Sequence, residues 1–183
     1  MSMPCARPAG GLLLAALFAG CSDGARSVAP GAGRSAMDVP SLTRASGSTS
    51  TLLGRATFSD PSDQNFKVKR MTGRWHFEIK AKPAFDLAVQ TIEFQPGAQS
   101  GWHSHPGPVF IQVVKGTMTF YESDDPTCTP IVKSEGEGFL DVGDHAHLAR
   151  NETGEAAQNV VTYFAPPGVP LRIDEPDPGN CRF

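Results

Sequence analysis

The sequence predicts an all-β domain, folded as a sandwich or a small barrel. From Thr51 onward, short runs rich in Val, Ile, Thr and Phe alternate with Gly, Pro, Asp and Asn, a pattern typical of strands and turns. The chain has 183 residues with 19 Gly and 16 Pro, which fits one globular domain with many turns. No segment gives a convincing helical pattern. Strands at this spacing are typical of sandwiches and small barrels.

Ten strands are predicted from these runs. In chain order they are Arg74–Lys80, Phe85–Phe94, Gly101–His105, Val109–Lys115, Thr117–Glu122, Pro130–Ser134, Gly138–Asp141, Ala146–Arg150, Gln158–Phe164 and Leu171–Ile173. Lys115-Gly116 joins two of them and predicts a tight hairpin. Nearly every position of Val109–Lys115 is apolar, which predicts a strand buried on both faces.

The first twenty residues have the pattern of an export signal. Arg7 gives a short basic start, residues 12–18 form an apolar core, and Ala19-Gly20 precede Cys21. Phe18-Ala19-Gly20-Cys21 resembles the bacterial lipoprotein box, with Phe18 where that box usually has Leu. This resemblance implies cleavage before Cys21 and acylation of Cys21. Ordinary secretion with cleavage nearby is the alternative. Both place the protein outside the cytoplasm, in the periplasm or at the cell surface.

Residues 21–51 are predicted to be a disordered tether, and residues 52–183 the folded domain. The tether is rich in Ser, Gly, Ala, Pro and Arg and has few large apolar residues, so it cannot bury enough surface to fold. No apolar run reaches the roughly 18 residues that a spanning helix needs. Membrane contact is therefore expected only through lipid on Cys21, since two or more acyl chains hold a protein on a bilayer.

The two cysteines of the folded domain, Cys128 and Cys181, are predicted to form a disulfide. Both stand in turn-like contexts, and an exported chain is oxidised. Two free thiols are the alternative. A zinc site built on the pair is disfavoured because no second CxxC motif or neighbouring His accompanies either cysteine.

Charge and motif content exclude several classes of function. The formal net charge is −3, with 16 Lys and Arg against 19 Asp and Glu, which argues against binding nucleic acid. The sequence has no serine-hydrolase spacing, phosphate loop or basic patch.

Four of the five histidines fall into two HxH pairs, His103 with His105 and His145 with His147. Residues two apart on a strand leave the same face, so each pair can reach one metal ion. Two such faces brought together inside a barrel would form a cluster of three or four imidazoles. The fifth histidine, His76, is interpreted as an ordinary core or surface residue.

The residues around these pairs resemble the two motifs of the cupins. Gly97, the His103-Ser104-His105 segment and Gly116 match the first motif, except that Val109 stands at its carboxylate position. A second set matches the later motif: Gly136, His147 and Asn151 agree with it, while Val142 and Asp144 replace its Pro and Gly. The resemblance covers about residues 81–166. It implies a double-stranded β-helix barrel, or jelly roll, with a metal at its centre, and a homodimer formed through the sheets.

Carried over position by position, the metal ligands of the family are His103, His105 and His147. With Val109 in place of the carboxylate, the resemblance implies a neutral three-imidazole site. Such a site favours iron, zinc, nickel or copper over magnesium and calcium. Some cupins, the thiol dioxygenases among them, work with three histidines.

Several neighbouring residues leave two interpretations open. His145 is either a fourth ligand or turned to solvent. Glu93 is a compensating carboxylate or, as we favour, a solvent-facing residue. Trp102 either lines the cavity or packs on the opposite face. Tyr121 and Tyr163 either fill strand faces or present a phenol to the site.

Two functions follow as hypotheses. In the first, the protein is a metal-dependent enzyme acting on a small molecule, either as a dioxygenase or, with a redox-inactive ion, in isomerisation or hydrolysis. In the second, it is a non-catalytic cupin module of the cell envelope that binds a small ligand or uses the metal as a brace. The missing carboxylate at Val109 favours the second. Open coordination positions distinguish an enzyme from a structural metal site.

Overall fold

The computed structural model describes residues 40–60, 65–69, 76–82, 84–143 and 145–183, and their regular structure consists of β-strands alone. The strands are β1 Ser46–Phe58, β2 Asn65–Lys69, β3 His76–Lys80, β4 Phe85–Gln99, β5 His103–Ser104, β6 Val109–Lys115, β7 Thr117–Glu122, β8 Ile131–Ser134, β9 Gly138–Asp141, β10 His147–Arg150, β11 Ala157–Ala165 and β12 Ile173–Asp174. The predicted signal segment, Cys21 and the tether as far as residue 39 lie outside the described residues. Among the described residues, no helix has the length and apolar character needed to cross a membrane.

Ten of the strands form one antiparallel sheet that rolls into a nearly closed barrel. Its main path runs β12-β5-β10-β4-β11-β6-β9, β1 adds to β4, and β7 links β10 to β8. β2 and β3 form a separate two-stranded ladder. The architecture is the predicted double-stranded β-helix. It brings β5, β6, β9 and β10 around one interior, although the chain reaches these strands far apart in sequence.

The hairpin predicted at Lys115-Gly116 joins β6 to β7. Gly116 has φ +73°, in the left-handed region that favours glycine. A Cβ at this position would lie 3.0 Å from the Ala156 carbonyl oxygen, so the turn also needs the absence of a side chain.

The first strand was not predicted, and it begins inside the segment that was assigned to the tether. β1 pairs with β4 from Ser46 opposite Gln99 to Phe58 opposite Phe85. Upstream of β1, the Thr43 amide donates to the Glu175 carbonyl. The assignment of residues 46–51 to a tether is therefore wrong. The segment is polar and largely exposed, and it is ordered through main-chain pairing that hydrophobic patterning does not report.

The prediction that β6 is buried on both faces is also wrong. Val109, Ile111 and Val113 point into the barrel, whereas Phe110 and Val114 are 37% and 39% exposed. The sheet has one interior face, so every second residue points outward. Phe110 packs on the Phe164 ring at 5.9 Å on that outer side, which accounts for an apolar residue there.

The described residues form two hydrophobic clusters. The larger one fills the barrel, with Phe94, Val109, Met118, Phe120 and Val161 among its members. The smaller one lies against the outside of β7 and β10, and we call it the outer cluster: Trp102, Tyr121, Leu148 and Cys181, with Cys128 packed against it. The predicted disulfide between Cys128 and Cys181 is confirmed, with Cα atoms 5.2 Å apart. It fastens the C-terminal tail to the barrel.

Candidate metal centre

Three histidines converge inside the barrel. His103 lies in β5, His105 directly follows that strand, and His147 begins β10 opposite His103. The ring centroids are 4.4 Å apart for His103 and His147, 4.8 Å for His103 and His105, and 5.2 Å for His105 and His147. One ring nitrogen of each lies within 4.8 Å of the others, and all three side chains are buried. The structure thus brings together the three residues that the cupin resemblance names as ligands.

Hydrogen bonds orient two of the three rings. His103 Nδ1 lies 2.8 Å from the Gly101 carbonyl oxygen, and His105 Nδ1 lies 2.6 Å from the Leu171 carbonyl oxygen. A carbonyl only accepts hydrogen bonds, so both Nδ1 atoms carry the proton and both Nε2 atoms keep a free lone pair. Fixing the far nitrogen in this way is how proteins prepare imidazoles to bind metal.

Burial keeps the three imidazoles neutral. It is the main cause that lowers the pKa of His103 and His105, and it lowers the pKa of His147 to about 3. The charge of Arg172 lowers all three pKa values further. A metal ligand must be unprotonated, so the site is in its binding form throughout the neutral range.

A buried carboxylate that sequence analysis missed stands beside the histidines. Asp141, the last residue of β9, has its Oδ2 3.5 Å from His147 Nδ1 and 3.9 Å from His105 Nε2. Its other oxygen accepts the Gly143 amide at 2.9 Å. Among the described residues, neither Asp141 Oδ2 nor His147 Nδ1 has a hydrogen-bond partner, and both atoms are fully buried. Imidazoles beside a buried carboxylate are a donor set suited to a divalent transition metal ion, so the residues present fit such an ion.

His145 does not take part in this cluster. Its Nε2 lies 2.5 Å from Glu122 Oε2, and together with Asp124 the two form a separate, partly exposed group. Of the two interpretations left open, the fourth ligand is the wrong one. Strand alternation places His103 and His105 on one side, but β10 begins only at His147, so His145 in the preceding bend does not follow it.

The other open interpretations divide between the two faces of the sheet. Glu93 is exposed on β4, as favoured, and Gln158 donates to it at 3.4 Å. Trp102 is 2% exposed and packs in the outer cluster, away from the histidines. Tyr121 belongs to the same cluster and donates its hydroxyl to Glu152. Tyr163 points inward, with its ring 5.4 Å from that of His105.

A cavity of about 480 Å³ adjoins the three histidines. Tyr163, Arg172 and Asn159 are among the polar residues that line it, beside apolar walls from Ile92, Phe120 and Val161. Arg172 Nη2 donates to the Ser100 carbonyl at 2.7 Å, and its Nε donates to Asp174 at 2.6 Å. The side-chain oxygen of Asn159 is buried and has no partner among the described residues. The cavity therefore offers polar groups to a small molecule close to the imidazoles.

Comparison with known proteins agrees with this architecture. Residues 90–163 match the family model Cupin_2, described as a cupin domain, and this range contains the three histidines and Asp141. A comparison with curated protein sequences found no match.

Three of the similar solved structures illustrate the likeness. A conserved protein with a double-stranded β-helix domain from Klebsiella pneumoniae is 19% identical over 49% of this chain and 75% of its own, with a TM-score of 0.42. A cupin superfamily protein from Desulfitobacterium hafniense is 10% identical over 43% and 67%, with a TM-score of 0.39. The polyketide cyclase RemF from Streptomyces resistomycificus is 16% identical over 80% and 89%, with a TM-score of 0.45.

Proposed function

We propose that this chain, which has the cupin fold, is an exported and lipid-anchored protein that binds one divalent transition metal ion and receives a small molecule beside it. The ligands are His103, His105 and His147. The observation that carries the proposal is their arrangement as three buried, neutral imidazoles beside a cavity of about 480 Å³.

When bound, an ion of iron, zinc, nickel or copper would supply Lewis acidity or, if redox-active, oxygen chemistry. The chain's own residues prepare the site around it. The Gly101 and Leu171 carbonyls hold two imidazoles in the tautomer that presents Nε2. Burial raises the pKa of Tyr163 to about 12, so its phenol keeps its proton and can donate a hydrogen bond to a molecule in the cavity.

A metal-dependent enzyme is the first candidate within this proposal. Three protein ligands leave coordination positions open, which is typical of catalytic rather than structural metal sites. A small polar substrate in the cavity would be within reach of both the imidazoles and Tyr163, which line it together. Oxygenation, isomerisation and hydrolysis are the reaction classes that suit the ions favoured by imidazole.

A non-catalytic binding module is the second candidate. Val109, fully buried at the position where the cupin motif supplies a carboxylate, is the observation that favours it. Such a module would capture a small polar ligand at the cell envelope without turning it over.

Export and lipid anchoring rest on the N-terminal sequence and the disulfide. The signal pattern ends at Cys21, and a Cys128–Cys181 bridge is typical of proteins outside the cytoplasm. Expression of the full chain in a bacterium with lipoprotein processing tests the anchor. We expect the parent in the membrane fraction with an acylated Cys21, and Cys21→Ser in the soluble fraction. An unmodified, soluble parent would overturn the lipid anchor.

Elemental analysis of the full chain, purified without chelator or affinity tag, tests the metal site. We expect about one equivalent of metal in the parent and none in a His103→Ala/His147→Ala variant, because loss of two ligands removes most of the binding energy. His145→Ala is the matched control, since it removes an HxH histidine outside the cluster and should keep the metal. A parent that is metal-free and that no divalent ion saturates would overturn the proposal.

The metal found decides the activity screen. Iron would direct it to oxygen consumption with small substrates, and zinc or nickel to isomerisation and hydrolysis. Saturable ligand binding without turnover would favour the binding module.

A further inference from the structure

The carboxylate of Asp141 lacks hydrogen bonds that a buried structural aspartate normally has. It is 2% exposed, and within the part of the chain that the structure describes only one of its two oxygens has a hydrogen bond, from the Gly143 amide. Leaving a buried carboxylate oxygen unpaired is costly, because it has lost its water without a replacement. The arrangement is explained if a positive group occupies the space next to Oδ2.

The two imidazole nitrogens beside that oxygen do not supply the positive group themselves. His105 Nε2, 3.9 Å away, holds a lone pair, because its Nδ1 proton is committed to the Leu171 carbonyl. Two acceptor atoms therefore face each other inside the barrel. His147 Nδ1, at 3.5 Å, is likewise buried and has no hydrogen-bond partner among the described residues. Since the Nδ1 atoms of His103 and His105 are committed to carbonyls, it is the nitrogen of the cluster that can donate to Asp141.

The strand register relates Asp141 to the position where the sequence lacks a carboxylate. β6 and β9 are antiparallel, and Val109 pairs directly with Asp141. Side chains at directly opposite positions of an antiparallel pair project from the same face, with Cβ atoms about 5 Å apart. Both residues are buried on the interior face. The Asp141 carboxylate therefore lies in the region that a carboxylate at position 109 would occupy, but it comes from the neighbouring strand.

We infer that Asp141 is the counter-charge of the metal site, supplying from β9 the negative charge that Val109 does not supply from β6. The inference rests on the proposed metal site and deepens it. Asp141 acts in two ways. It offsets the charge of the divalent ion inside the barrel. Its charge, 3.5 Å from His147 Nδ1, also favours the tautomer of His147 that carries its proton on Nδ1 and leaves Nε2 free for the ion.

Asp141→Asn tests this role, because it keeps the shape of the side chain and the oxygen that accepts the Gly143 amide but removes the charge. Two quantities are measured on the full chain: the dissociation constant for Zn²⁺, by competition with a chelator, and the melting temperature of the metal-free protein. We expect Zn²⁺ affinity to fall about 10- to 100-fold, the usual effect of changing a partner of a metal-bound histidine. We expect the metal-free protein to melt no lower than the parent, because an unpaired buried charge has been removed.

Asp86→Asn is the matched control. Asp86 is also buried, but Thr57, Gly168 and Arg55 all donate hydrogen bonds to it. It is the second residue of β4. We expect the reverse pattern for this variant, with a lower melting temperature and unchanged Zn²⁺ affinity. The contrast separates a counter-charge from a structural carboxylate.

A double variant moves the carboxylate from β9 to β6. Val109→Glu in the Asp141→Asn background should recover much of the Zn²⁺ affinity, and no recovery would overturn the equivalence of the two positions. Parent-like affinity in Asp141→Asn would overturn the inference while leaving the proposed metal site intact. A melting temperature lowered as in Asp86→Asn would assign Asp141 a structural role and overturn the inference too. If the parent itself binds no Zn²⁺ or other divalent ion, both proposals fail.

Discussion

The two sides of the chain around β5 and β10 contrast sharply, although they are built from sequence neighbours. His103 and His147 point into the barrel, while the adjacent Trp102 and Leu148 point outward into the outer cluster. The inner side has neutral imidazoles, an unpaired carboxylate oxygen and a cavity. The outer side is packed, and the Cys128–Cys181 disulfide closes it.

The inner side is suited to binding a ligand, whereas the outer side stabilises the strands that carry the imidazoles. On the outer side, the main chain of Trp102 is paired within the chain: the Trp102 amide donates to Thr43 Oγ1, and the Glu175 amide donates to the Trp102 carbonyl. The inner side keeps polar atoms that the described residues leave unpaired, which suits a ligand from outside. Packing on one face of the strands therefore holds the imidazoles on the other face in place. A substitution on one side of the strands is therefore best followed by measurements on both sides.

Trp102→Ala should have the largest effect on stability. Truncating a buried Trp removes contacts and leaves a cavity, and typically costs about 3–5 kcal/mol in the free energy of unfolding. Denaturant unfolding measures this loss. We expect Zn²⁺ affinity of the folded fraction to fall less than tenfold, and Trp102→Phe to lie between variant and parent in stability. A variant that is as stable as the parent but binds no metal would place Trp102 in the site and break the comparison.

Removal of the disulfide should have the next largest effect. Cys128→Ser/Cys181→Ser frees a loop spanning 53 positions, and such bridges typically contribute about 2–4 kcal/mol. Thermal unfolding of this double variant, compared with the parent under oxidising conditions, measures the effect. The imidazoles do not touch the bridge, so Zn²⁺ affinity at 25 °C should change less than threefold. An affinity loss as large as the one expected for Asp141→Asn would show that the tail shapes the inner side directly.

A change of pH should have the smallest effect on the stability of the metal-free protein. Burial holds the pKa of His147 at about 3 in the folded state, against a usual value near 6.5 in the unfolded chain. Between these values the unfolded state binds more protons, so stability falls as pH falls. For one histidine, the loss between pH 7 and pH 6 is under about 1 kcal/mol. Urea unfolding across this range measures it.

Two variants test whether the slope of stability against pH comes from the inner side of the sheet. His147→Leu should flatten the dependence on pH, because it removes one of the buried titrating groups. Trp102→Phe should leave the slope unchanged while lowering stability at every pH. An unchanged slope in His147→Leu would contradict the buried, neutral state of this histidine.

Much of the fold was predictable from local pattern, and the errors have physical causes. β6, β7 and β9 have the predicted bounds because turn residues flank short runs of strand-forming residues. β1 was missed because its Ser- and Thr-rich start is ordered by main-chain bonds to β4, which no side-chain pattern reports. The burial of β6 was overestimated because Phe110 has an outer partner in Phe164, contributed by a strand distant in sequence.

The sequence by itself determined the candidate ligands and the disulfide pair. Both predictions depend only on properties of the chain: the spacing of His103 and His105, the motif position of His147 and the small number of cysteines. Because side chains alternate between the two faces of a strand, residues two apart share a face. Only the tertiary structure excluded His145, which has the same spacing but precedes its strand. It alone also brought Asp141 beside the histidines, since the pairing of Val109 with Asp141 joins residues 32 positions apart through the register of β6 and β9. Register is a long-range property, set by how the whole barrel closes, and no local pattern contains it.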